Sequence, residues 1–140
     1  MGRLDGTRPR ADDEARVGWI GGSPNLGMGE SGGNVGRFVI VAYTPKPNRE
    51  EQLMTAVKKH LRVLKEENLI TDRPGYVMRA TDGTLVEVFE WRSAEAIQQA
   101  HANPAVQALW GEFGAACDYT PLAKLKESQQ MFAEFDAVSV

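Results

Sequence analysis

The chain has 140 residues, 42% of them hydrophobic, a formal net charge of −3 and one cysteine, Cys117. This length fits a single domain whose core is large enough to fold without disulfides or a structural metal. The mild acidity argues against nucleic acid or an anionic membrane surface as a partner, and a lone cysteine excludes an internal disulfide and a cysteine-based metal site.

No apolar run approaches the roughly 20 residues that a membrane-spanning helix needs. The apolar stretch around Val17–Ile20 is interrupted by glycine and is too short for a signal peptide. We therefore expect a cytoplasmic protein that contacts neither membrane nor nucleic acid.

Residues 1–36 differ in composition from the rest of the chain. They hold ten of the fourteen glycines and show no sustained helical or strand periodicity. This composition predicts a disordered tail over 1–36 and a folded domain over 37–140. A second hypothesis is that the natural chain starts at Met28 or Val35, because regular patterning begins only at Arg37.

The tail contains glycines spaced as in a dinucleotide-binding loop, at Gly27, Gly29 and Gly32. That motif functions between a strand and a helix, where the helix N-terminus holds the pyrophosphate. Neither element is predicted on either side here, so we expect no nucleotide site.

The first regular element is a strand over Arg37–Tyr43, which is apolar on both faces and ends before Pro45 and Pro47. Asn48 is the predicted N-cap of a helix that frays near Asn68. One apolar stripe follows this helix, and His60 lies beside it; the stripe consists of Leu53, Val57, Leu61 and Leu64.

Two more strands follow, over Tyr76–Ala80 and Leu85–Trp91, joined by an Asp82-Gly83 hairpin turn. In the Leu85–Trp91 strand, Val86 and Val88 point to one face. Glu87, Phe89 and Trp91 point to the other face.

Ser93 is the predicted cap of the next helix, and Asn103 that of a further helix with Pro104 in its first turn. The buried stripe of that helix comprises Val106, Leu109, Trp110 and Phe113. A loop over 118–121, a short helical turn over 122–126 and a last strand over 130–137 complete the chain. The β-α-β-β-α-β order is that of a ferredoxin-like α+β domain, a four-stranded antiparallel sheet with helices on one face.

Both faces of the predicted sheet are apolar, yet two helices cover only one of them. One face carries Val39, Val41, Tyr43, Val77, Phe89 and Trp91, and the opposite face carries Phe38, Ile40, Met78, Val86 and Val88. Either patch is too large to face water, which favours a homodimer packed through the face that the helices leave uncovered. The alternative is that the tail or residues 122–127 shield it within a monomer.

Residues 37–138 resemble the dimeric α+β barrel superfamily, and within it the antibiotic biosynthesis monooxygenase-like group. The resemblance lies in the Phe38–Tyr43 strand, in the joint Phe89–Ser93, and in the run Ala100–Pro104 that leads to Trp110 and Phe113. It implies a homodimeric barrel that binds a small aromatic ligand. Members include cofactor-independent monooxygenases of phenolic or quinol-like compounds, haem-degrading enzymes and proteins without known activity.

His101 and Trp91 are the predicted catalytic residues, since imidazole exchanges protons readily near neutral pH. His101 alternatively serves only as a charge at a helix C-terminus, and His60 is interpreted as a packing residue. The predicted substrate-binding residues are Tyr43, Tyr76, Arg79, Phe89 and Trp110.

In the resemblance, Trp91 matches a pocket tryptophan of the haem-degrading branch. Tyr43 and Trp110 replace that branch's asparagine and iron-ligating histidine. We therefore expect neither a metal nor another cofactor. Two functions remain open: a cofactor-independent monooxygenase of a small aromatic substrate, and a non-catalytic barrel that binds a hydrophobic ligand or acts as an accessory module. Fold alone does not separate them.

Overall fold

The computed structural model describes residues 35–140. This part of the chain is an α+β fold with three α-helices and a five-stranded antiparallel sheet. The strands are β1 (Arg37–Pro45), β2 (Tyr76–Arg79), β3 (Leu85–Trp91), β4 (Cys117–Thr120) and β5 (Asp136–Val138). The helices are α1 (Glu50–Glu66), α2 (Ala94–Ala102) and α3 (Pro104–Ala116).

The strand order across the sheet is β4-β1-β3-β2-β5. The β-α-β-β-α-α-β order along the chain resembles the predicted ferredoxin-like arrangement. In the β1–β3 pair, Val39 lies opposite Phe89 and Val41 lies opposite Glu87. Residues 1–34 of the predicted tail lie outside the described residues. The glycine motif and the alternative start at Met28 belong to this part of the chain.

The caps of α2 and α3 are confirmed. The Ser93 hydroxyl accepts a hydrogen bond from the Ala96 N–H at 3.1 Å, and Asn103 Oδ1 accepts from the N–H groups of Ala105 and Val106. These bonds satisfy donors that a helix N-terminus otherwise leaves unpaired.

The predicted cap of α1 is wrong. Asn48 has a left-handed backbone with φ 64°, and Arg49 precedes the helix without a side-chain cap. Asparagine tolerates this conformation better than most residues, so Asn48 turns the chain after Pro47.

The C-terminal part corrects the predicted four-stranded sheet. The loop predicted over 118–121 is largely strand β4, which pairs with β1 and places Tyr119 opposite Tyr43. The strand predicted over 130–137 contracts to β5, so the sheet has five strands. The sequence does not predict β4, because four residues that include the polar Asp118 and Thr120 are too few to show a strand period. The strand forms through its pairing with β1, which includes a 2.6 Å hydrogen bond between the Thr44 and Thr120 hydroxyls.

Two apolar clusters lie between the helices and the sheet, and a third lies on the opposite face. Two 3₁₀ turns, Leu122–Lys124 and Lys126–Gln129, cover part of that opposite face, with Leu125 only 2% exposed. The uncovered part presents Phe38, Ile40 and Tyr76 at 57%, 50% and 62% exposure. Residues 122–127 therefore shield part of this face, and the tail named in the same alternative lies outside the described residues apart from positions 35 and 36.

None of the helices within residues 35–140 combines the length and apolarity needed to cross a membrane.

Candidate functional site

A pocket of about 640 Å³ lies between the sheet and the helices. This volume suits a small-molecule ligand. Its walls come from β1, β3 and β4 on one side and from all three helices on the other. Aliphatic and aromatic side chains dominate the lining, which comprises Arg37, Phe38, Val39, Val41, Tyr43, His60, Phe89, Trp91, Ile97, His101, Trp110, Phe113 and Tyr119.

Three polar side chains form a network at the buried end of this pocket. His60 Nδ1 lies 2.8 Å from Glu87 Oε1, and the Tyr43 hydroxyl donates to the same oxygen at 2.7 Å. All three residues are at most 3% exposed. Helix α1, strand β3 and strand β1 each supply one member, so the packing of helix on sheet fixes the geometry.

The hydrogen bonds assign the tautomer of His60. Trp110 Nε1 donates to His60 Nε2 at 3.3 Å, so Nε2 carries no proton. The ring proton is then on Nδ1 and is donated to Glu87. A carboxylate that holds Nδ1–H in this way orients the imidazole and stabilises a positive charge that develops on it.

The Trp110 bond is long for an N–H donor, since typical distances are about 2.7–3.2 Å. It occupies the one imidazole nitrogen that is available to a ligand. A ligand hydroxyl that forms a shorter bond to Nε2 would therefore displace the Trp110 indole.

The position of Glu87 is energetically unfavourable for a carboxylate. The side chain is fully buried, and among residues 35–140 its second oxygen, Oε2, has no hydrogen-bond partner. Burying a charge with incomplete hydrogen bonding destabilises a fold. Such a residue is a candidate for a functional role rather than a packing role.

Tyr43 acts as a donor in this network. Burial and then the Glu87 carboxylate raise the pKa of the Tyr43 phenol well above its ordinary value. The phenol thus stays protonated at neutral pH and keeps its bond to Glu87, which excludes Tyr43 as a base.

The other end of the pocket is open to solvent. Arg37 and His101 are exposed there, whereas the exposed Tyr119 lies beside Tyr43 at the other end of β1. His101 Nδ1 donates to the Ile97 carbonyl at 2.9 Å, and its ring meets Trp110 edge-on with centroids 5.1 Å apart. His101 therefore lies at the mouth, and Trp110 lies between it and His60.

Five of the seven predicted site residues line this one pocket: Trp91, His101, Tyr43, Phe89 and Trp110. The other two lie elsewhere. Tyr76 pairs with Val88 and shares its face of the sheet, away from the helices, and Arg79 is exposed on β2.

Sequence reasoning overlooked Glu87 and treated His60 as packing. The signal for Glu87 was its position on the same strand face as Phe89 and Trp91, since a carboxylate within an apolar strand face requires a partner. The pairing of Glu87 with His60 has no such signal, because it depends on how α1 crosses the sheet.

Within residues 35–140, no cluster of three or more His, Cys, Asp or Glu side chains is placed to hold a metal ion. The arrangement present can remove a proton from a ligand. A neutral imidazole with a carboxylate partner is a general base, and the dry, aromatic walls strengthen its interaction with a bound hydroxyl.

Comparison of the chain with protein-family models, curated proteins and solved structures gives no match.

Proposed function

We propose that this protein is a cofactor-independent monooxygenase of a small phenolic or quinol-like aromatic compound, similar to the antibiotic biosynthesis monooxygenase-like group. The observation that carries the proposal is the buried His60–Glu87 pair at the end of an aromatic-lined pocket. In this chemistry the substrate itself reduces oxygen once it is deprotonated, so the protein has to bind, orient and deprotonate.

The roles follow from position. His60 Nε2 takes the hydroxyl proton of the substrate, and Glu87 stabilises the imidazolium that results. Phe89, Trp91 and Phe113 hold the ring of the substrate and exclude water. His101 and Trp110 lie on the path between the mouth and His60.

The reaction balances without a further reductant. A phenol and one O₂ give a quinone and one water: the phenolate supplies the electrons, and one oxygen atom bonds to the ring carbon para to the hydroxyl. The other oxygen leaves as water with the hydrogen of that carbon and the proton that His60 received.

We also propose that the active form is a homodimer packed through the open face of the sheet, as in dimeric α+β barrels. The uncovered row of Phe38, Ile40 and Tyr76 supports this. Isolated exposed apolar residues are common, but here Val88 of the intervening strand β3 lies between Ile40 and Tyr76, so the three large residues belong to one apolar patch.

Oxygen uptake with 1-naphthol and other phenols that have a free para carbon tests the activity. Since general-base catalysis contributes about 10²–10⁴-fold, we expect His60→Gln to lose that much of kcat/KM and Glu87→Gln to lose a smaller part. Arg62→Gln, a change at an exposed position of the same helix, should match the wild type.

The circular dichroism spectrum and the urea midpoint of unfolding should show that the His60 and Glu87 variants are folded, which separates loss of the base from loss of the fold. Equal turnover by His60→Gln and wild type would remove His60 from the mechanism. Ligand binding without any oxygen uptake would instead favour the non-catalytic binding barrel.

A further inference from the structure

We propose that the natural ligand of this pocket is an aromatic anion of two rings, with its hydroxyl at His60 and a carboxylate or similar group at Arg37. This inference rests on the proposed function for the role of His60 and adds the charge, length and orientation of the ligand.

The inner end of the pocket accepts a hydroxyl and rejects an anion. The charged group there is the fully buried Glu87 carboxylate, and the Tyr43 hydroxyl is already donated to it. A negative group on the ligand would be repelled in this dry environment, where charges interact more strongly than in water. An ionised substituent therefore has to lie at the mouth.

Arg37 provides the matching positive charge at the mouth. Its side chain lines the pocket and forms no ion pair or side-chain hydrogen bond with any residue of 35–140. Many surface arginines are unpaired, but this one lies against an apolar pocket wall. A guanidinium group offers two parallel N–H donors that match the two oxygens of a carboxylate.

The separation of the two ends sets the length of the ligand. Arg37 and Val41 lie on the same face of β1, and Val41 pairs with Glu87. Four residues of strand correspond to about 13 Å. The Arg37 side chain covers part of this distance, and two fused or linked rings cover the remainder, whereas a single ring in contact with His60 would leave Arg37 out of reach.

Calorimetric binding of three probes to the full chain tests the proposal: 6-hydroxy-2-naphthoate, 2-naphthol and 2-naphthoate. We expect the first to bind the wild type about tenfold more tightly than 2-naphthol, because it alone satisfies both ends. Arg37→Gln should remove this advantage and leave 2-naphthol affinity within about twofold. Added salt should weaken only the two anions.

Arg79→Gln is the matched control, because Arg79 is an exposed arginine outside the pocket; it should leave all three affinities unchanged. Equal affinity of the wild type for 6-hydroxy-2-naphthoate and 2-naphthol would overturn the proposal. So would an equal loss for both probes in Arg37→Gln, since Arg37 would then contribute only its apolar stem.

These outcomes are separate from those of the activity test. Arg37-dependent binding of the hydroxynaphthoate, together with no oxygen uptake from 1-naphthol and other phenols with a free para carbon, would support the present inference and reject the monooxygenase. Turnover of uncharged phenols, combined with equal affinity for 2-naphthol and 6-hydroxy-2-naphthoate, would support the monooxygenase and reject the present inference.

Discussion

At the scale of single residues, the geometry of the buried polar network depends on one carboxylate. Glu87 accepts hydrogen bonds from both His60 and Tyr43 through one oxygen and leaves the other unsatisfied. An apolar residue of similar volume would remove a buried charge, which often increases stability. The hydrogen bond that Glu87 accepts from His60 contributes orientation of the imidazole rather than stability.

Cys117 provides a prediction at the same scale. It begins β4 and is 3% exposed. Burial, and then the neighbouring Asp118, raise the pKa of the Cys117 thiol to about 11, against 9.0 for an ordinary thiol. At pH 8 this lowers the thiolate fraction about 100-fold, and the thiolate is the reactive form.

We therefore expect the native protein to react with a thiol reagent such as 5,5′-dithiobis(2-nitrobenzoate) at least about 100-fold more slowly than the same protein in urea. The absorbance of the released thionitrobenzoate measures the rate. Fast modification of the native protein would mean that the edge strand β4 opens readily.

At the scale of elements, the sequence predicted the caps of α2 and α3, the hairpin and the faces of β1 and β3 correctly, but not the start of α1. The correctly predicted features depend on residues that are close in sequence. The side chains of Ser93 and Asn103 accept hydrogen bonds from backbone N–H groups at most three residues later, and side chains alternate between the two sheet faces along the whole of Leu85–Trp91. β4 and the His60–Glu87 contact were not predicted, because both depend on residues 27 or more positions apart.

Asn103 joins α2, α3 and the end of α1. Its Oδ1 caps α3 through two N–H groups, and its Nδ2 donates to Glu67 Oε1 at 2.8 Å. We expect Asn103→Ala to lower the free energy of unfolding by about 1–2 kcal/mol, near the upper end for the loss of an N-cap.

Urea unfolding followed by circular dichroism measures this change. Ser93→Ala is the comparison, because the Ser93 side chain accepts only one backbone bond at its helix, and we expect about half the effect. An Asn103→Ala variant as stable as the wild type would show that Pro104 and packing alone start α3.

At the scale of the whole molecule, the two faces of the sheet differ in what covers them. The helices and the pocket occupy one side, and the 3₁₀ turns cover part of the other. The exposed row of Phe38, Ile40 and Tyr76 remains, so a second copy of the chain is the economical cover for it.

Ile40→Lys should therefore give a monomer. Light scattering at micromolar concentration should report twice the chain mass of 15.4 kDa for the wild type and the single mass for the variant, because a buried lysine without a partner opposes association. Gln98→Lys places the same charge on an exposed position of α2 and should remain dimeric. A monomeric wild type would contradict the proposal.

Strand β1 has a consequence for folding accuracy. Its odd-numbered residues from Arg37 to Tyr43 line the pocket, whereas Ile40 and Ala42 face away from the helices. A pairing slip of one residue would exchange the two faces, putting Ile40 and Ala42 into the ligand space and Arg37 onto the open face. Such a misaligned chain would keep its apolar content and most of its hydrogen bonds but would have no binding site, so correct alignment of β1 against β3 is itself a condition for function.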